Sequence, residues 1–207
     1  QKVQPEKTNL AYARALLLQQ KYWPLLSTGT PESLAELQQV TQETIAIWGS
    51  LGERPFAANA HTFRAEAYKA QEQFDLALEQ FQQALALLRE VGVPIRIAGS
   101  LIPIGQIYAA RSDYRRALEY YLEAHQLFAK DKYLNMVGWN LTNIGQVYNA
   151  YGELGKALEY YQRSYAYYEQ YKAIATERHT GMGAALSGMA NTYLSLGEKQ
   201  PALDHLK

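Results

Sequence analysis

At 207 residues, 48% hydrophobic and 19% charged, the chain has the composition of a well-packed soluble protein, long enough for one large domain or a run of repeats. Twenty basic and twenty acidic side chains cancel, so the field that draws proteins to nucleic acid or anionic membrane is missing. There is no cysteine for a disulfide, a thiolate zinc site or a cysteine nucleophile, and no apolar run reaches the roughly 18 residues of a membrane span.

The chain opens QKVQPEKTNL, without a methionine or a signal-like apolar segment, as expected of an excised or processed fragment. The compartment stays open, with the cytoplasm the slightly favoured setting. Two helical patterns follow, AYARALLLQQKYWPLL and PESLAELQQVTQETIAIWGSLGE, separated by the loop STGTP. In that loop Thr30 is placed to cap the second helix, with Pro31 at its first position and Glu32 near its positive end.

From residue 56 onward a spacing recurs. Gly145 is followed by Tyr148, Ala157, Tyr161 and Ser164, and forty residues upstream Gly105 is followed by Tyr108, Ala117, Tyr121 and Ala124 at the same offsets. Another forty back, Ala65 takes the glycine slot, with Tyr68, Ala77, Phe81 and Ala84. Downstream the interval stretches to forty-five, where Ala190, Tyr193, Ala202 and Leu206 fit. Apolar residues such as Phe74, Ala77, Leu78, Phe81, Ala84, Leu85 and Leu88 recur at helical intervals, and no alternating Val/Ile run suggests a sheet. The expectation is an all-α chain of about ten helices. Small residues at the slot let two helices cross closely, with Ala117 or Ala157 facing the gap and the tyrosines filling the remaining volume. Gly152 and Gly197 sit where a hairpin's first helix ends, and Pro201 fits the first turn of the next helix.

This series resembles the tetratricopeptide repeat, with Ile104, Ile144 and Met189 in the family's leucine slot and Arg64 departing from it. The forty-residue period is similar to that of the long-repeat form found in kinesin light chains, spindle-orientation scaffolds, bacterial peptide-pheromone receptors and bacterial arrays that precede caspase-like CHAT domains. The resemblance implies a right-handed superhelical solenoid of antiparallel hairpins. On it, residues 1–55 form a divergent N-terminal hairpin or cap and residues 56–207 four repeats, about 58–97, 98–137, 138–182 and 183–207, the last incomplete.

The resemblance also implies a groove lined by the first helix of each hairpin. Carried over by offset from the glycine slot, its positions are Asn59, Thr62, Glu66 and Lys69; then Gly99, Ile102 and Gln106; then Trp139, Thr142, Gln146 and Asn149; and finally Ala184, Ser187 and Asn191. The residue just after the slot reads Glu66, Gln106, Gln146, Asn191. Carboxamides both donate and accept, so such a column suits the backbone of an extended peptide. The implied function is a protein-interaction scaffold for an extended peptide or partner helix. The alternative is a sensing or regulatory arm of a larger protein, for example one with a caspase-like protease domain.

In the tyrosine-rich run YYQRSYAYYEQY, residues 160–171, Tyr161, Tyr165 and Tyr168 share one face, while Tyr160, Tyr167 and Tyr171 form a second face open to contact. Catalysis is not expected, since His61, His125, His179 and His205 show no metal-ligand spacing. Glu177, Arg178 and His179 read as a polar turn, and Gly181-Met182-Gly183 as a helix start, lacking the third glycine of a phosphate loop. Neither metal nor cofactor is implied. The expected partner is a protein or peptide, not nucleic acid or membrane, and the incomplete last repeat offers a face for self-association.

Overall fold

The computed structural model describes residues 5–172 and 180–204. These residues form eleven helices with no strand among them. In chain order they are α1 Pro5–Gln19, α2 Tyr22–Thr28, α3 Pro31–Leu51, α4 Arg54–Ala70, α5 Phe74–Val91, α6 Pro94–Ala110, α7 Tyr114–Lys130, α8 Leu134–Ala150, α9 Leu154–Lys172, α10 Thr180–Ser195 and α11 Lys199–Asp204. The chain divides into two compact units, Gln1–Ser100 and Leu101–Lys207.

The turns repeat as the helices do. Gly52 and Gly92 are left-handed at φ 73 and 75, and forty residues further on Lys132 adopts φ 59. A second ladder runs through Glu72, Ser112 and Gly152 at φ 58, 59 and 84, and Gly197 follows at φ 79. Each of these residues lies just past the end of a helix and turns the backbone toward the next one. Glycine takes this conformation without cost; Glu72, Ser112 and Lys132 carry a Cβ that disfavours it.

In the first unit, the segment AYARALLLQQKYWPLL is two helices, not one. Pro24 has no amide hydrogen, and its ring would strike the carbonyl of Gln20 in a continuous helix, so the chain breaks at Gln20 and Lys21. The STGTP loop behaves as its chemistry requires. Gly29 closes α2 at φ 68, and the Thr30 hydroxyl accepts from the Ser33 amide at 3.2 Å, with Pro31 and Glu32 in the first turn of α3. The core gathers Tyr22, Leu34, Leu37, Val40, Ala60 and Ala67, while Trp48 stacks on Phe56 with Tyr12 edge-on. Arg64, the departure from the leucine slot, is accommodated by lying over the ring of Tyr68, whose hydroxyl it also reaches at 3.3 Å.

In the second unit, α7 packs on α8, α8 on α9, and α10 on both α8 and α9. The glycine slots are buried beneath aromatic rings. A Cβ added at Gly105 would stand 2.7 Å from the ring of Tyr121, and one at Gly145 would stand 2.8 Å from that of Tyr161. Ala117 and Ala157 are fully buried as expected, but the group over each glycine is the tyrosine one turn further on, whose plane fills the gap that a side chain would otherwise occupy. Beside each slot a second tyrosine pair stacks, Tyr108 on Tyr120 and Tyr148 on Tyr160, with Arg116 and Lys156 over the outer faces. Tyr160 is therefore used in packing, not held open on a second face.

Candidate functional site

Enclosed by α7, α9 and α10, α8 shows solvent only a narrow stripe. Met136, Trp139, Gln146 and Ala150 are exposed along it, and Asn143 lies on the same line with 8% of its surface accessible. These residues recur every three or four positions, so they form one line down the helix. On α10 the exposed line runs through Gly183, Ala184, Ser187, Asn191 and Leu194.

The two lines are held in register. Gly138 and Gly181 both face the ring of Tyr168, Gly145 and Gly188 both face that of Tyr161, and Thr192 donates to the Asn149 carboxamide at 3.2 Å. Each pair is 43 residues apart, so α8 and α10 run parallel with their polar lines side by side. Gln146 and Asn191, the two amides of the column on these helices, both reach solvent. On α6, Gln106 is half-buried and followed on the same side by Ala109 and Ala110.

Two of the carried-over positions are not available for contact. Ile102 is fully buried, and Thr142 is 3% exposed. The Thr142 hydroxyl is turned to α9, 2.7 Å from Ser164 Oγ, and Ser164 donates to the carbonyl of Gly138 at 2.7 Å. At this level α8 and α9 approach over a glycine, and threonine closes the seam between them instead of facing outward.

In the first unit, Asn59, Thr62, Glu66 and Lys69 lie along one side of α4, all half-buried. Thr62 bonds back to the Ala58 carbonyl at 3.0 Å. Glu66 and Lys69 form an ion pair at 2.6 Å with 27% of each side chain exposed, and the ammonium sits 5.8 Å from the centre of the Phe81 ring. The charges on this face thus cancel locally.

Sequence offsets missed Asn143 and Asn140. Asn140 is fully buried and donates to the backbone carbonyl of Tyr121 at 2.6 Å, tying α8 to α7. Asn143 Nδ2 is buried without a hydrogen-bond partner among the described residues, and the residue is 8% exposed. The corresponding positions in the other repeats are Phe63, Pro103 and Gly188, so no column of amides marks it in the sequence.

His61 Nδ1–H donates to the Gln80 carboxamide oxygen at 2.9 Å. Burial lowers its pKa below 6.5, Gln80 opposing and Arg64 adding to the shift; burial and Arg163 lower that of His125. Among the described residues no cluster of three His, Asp or Glu could hold a metal ion, while His179, His205, Glu177 and Arg178 lie outside them. Gly181 serves packing, beneath Tyr168. A cleft of about 750 Å³ opens away from the stripe, at the hairpin tips, among Arg111, Asp113, Tyr114, Leu118, Tyr148 and Tyr151. Its carboxylates Asp113 and Glu119 are paired with Arg116 and Arg115.

Residues 96–170 match the family model described as tetratricopeptide repeat. No curated protein matches the sequence. Among solved structures, a Podosopora anserina chain designated kinesin light chain, with nearly identical TPR-like repeats, superposes with a TM-score of 0.73 at 20% identity, covering 93% of this chain and 92% of that one. Aspartyl phosphate phosphatase F from Bacillus subtilis gives 0.75 at 17% identity, over 92% of this chain and 50% of that one. A Rap protein complexed with competence and sporulation factor gives 0.60 at 15% identity, over 91% and 62%. At these identities the likeness is one of fold. The described residues are an all-α array of helical hairpins with a tetratricopeptide-like fold, and the family model matches its residues 96–170. That segment carries the repeats built on Gly105 and Gly145.

Proposed function

We propose that the chain is a protein-interaction module that holds an extended peptide or partner helix along the exposed stripe of its inner helices. The observation that carries the reading is the pair Gln146 and Asn191, two exposed carboxamides on adjacent parallel helices locked in register by Asn149 and Thr192. Each can donate to a peptide carbonyl and accept from a peptide amide, and each such bond contributes about 1 kcal/mol net. The solved Rap complex with competence and sporulation factor supports the reading by fold. Asn59, Thr62, Glu66 and Lys69 would offer a second polar face in the first unit, while Ile102 and Thr142 are read as packing residues.

No catalytic step belongs to this function, and an activity screen of the purified chain is expected to be negative. The test is calorimetry of peptides selected on the chain: Gln146→Ala with Asn191→Ala weakens binding while the melting temperature stays within a degree or two. Equal weakening by amide changes on the outer helices would sink the proposal.

A further inference from the structure

The second unit separates charge from the stripe. Its outer helices carry Arg115, Arg116, Glu119, Lys130, Lys156, Glu159, Arg163 and Glu169 at exposed positions. Its inner helices expose Met136, Trp139, Gln146, Ala150, Gly183, Ala184, Ser187, Asn191 and Leu194, without a single Asp, Glu, Lys or Arg among them. A charged side chain laid on this surface would lose water and gain no counter-charge, which disfavours it by far more than a neutral one.

The amides set a second condition. A helix has already spent its backbone groups on itself, whereas an extended segment presents them to a neighbour. Gln146 and Asn191 therefore fit an extended chain.

The apolar end of the stripe sets the third. Met136 and Trp139 lie one turn apart on α8, 36% and 39% exposed. The register that puts Gly138 and Gly181 on one ring places Trp139 level with Met182 and beside Gly183, where an added Cβ would meet nothing within 4 Å. An indole and a pliable thioether next to open space make an anchor for a bulky apolar side chain.

We infer that the partner is an uncharged, extended peptide segment that seats one large apolar side chain beside Trp139 and Met136 while Gln146 and Asn191 hold its backbone. This rests on the groove reading above and names the chemistry of its ligand.

The test is selection of a displayed library of random twelve-residue peptides on the full chain, with individual winners then measured on variants. The enriched peptides are expected to be depleted in Asp, Glu, Lys and Arg relative to the input and to share a Leu, Met, Phe or Trp at one position. Trp139→Ala weakens them tenfold or more, and Gly183→Leu, which fills the open space without touching the core, produces a comparable loss. Winners rich in charge, or bound equally by both variants, overturn the inference while leaving the groove in place. No enrichment at all, or winners indifferent to Gln146→Ala with Asn191→Ala, overturns the groove reading itself.

Discussion

The ring of Tyr161 lies between Gly145 of α8 and Gly188 of α10, so that a Cβ on either glycine would come within 2.8 or 2.5 Å of it. One side chain thereby sets how closely two inner helices approach the outer helix they share. Gly145→Ala and Gly188→Ala are each expected to cost about 1–3 kcal/mol by overpacking, despite the gain in helix propensity. Denaturant unfolding of the single variants and of each paired with Tyr161→Leu checks this; the glycine effect should largely vanish once the ring is gone.

The left-handed turns give an opposite prediction. Ser112 adopts φ 59 at the place where Gly152 adopts φ 84 one repeat later. Ser112→Gly is expected to raise stability by about 0.5–1 kcal/mol, and Gly152→Ser to lower it by a similar amount. Both are read from the denaturation midpoint.

Asn140 and Gln146 share α8 but not a role. Asn140→Ala removes the buried amide that ties α8 to the Tyr121 carbonyl of α7 and is expected to cost about 1–2 kcal/mol. Gln146→Ala, on the exposed line, should change stability by less than about 0.5 kcal/mol.

Much of this architecture was legible in spacing alone. Gly105, Gly145, Tyr121 and Tyr161 announced themselves because close helix crossings leave few residue types that fit. The break at Gln20 was hidden inside a continuous apolar pattern, and only Pro24, acting on a residue four places earlier, reveals it. Left-handed turns at Glu72 and Ser112 were invisible because nothing but glycine advertises that conformation. The stripe was harder still: an offset names a position on a helix, whereas exposure depends on how the neighbours close over it. Thr142 turned inward because Ser164 stands opposite, and Asn143, on the same line as Gln146, is closed over until 8% of its surface remains.

Titration separates the core from the surface. Burial pushes Tyr22, Tyr161 and Tyr168 up from 10.0 to about 12, with the Thr44 bond opposing the shift at Tyr22, and raises Tyr121 further. A raised folded value means the unfolded chain ionises first, so stability is full below about pH 10 and falls as the pH climbs toward 12. Phenolate absorbance should show these four rings appearing only with unfolding. His61 and His125 act at the acid side: their folded values lie below 6.5, so the unfolded chain takes the proton first and stability falls as the pH drops below about 6.5. Replacing either histidine with Gln should flatten that acid limb.

The most direct measurement titrates a library-selected peptide into three proteins by calorimetry: the parent chain, Gln146→Ala with Asn191→Ala, and the outer-helix control Gln126→Ala with Gln162→Ala. Loss of two backbone bonds predicts about tenfold to thirtyfold weaker binding for the inner pair and none for the outer pair, all three melting at one temperature. Equal weakening by both pairs would contradict the assignment of binding to the inner stripe.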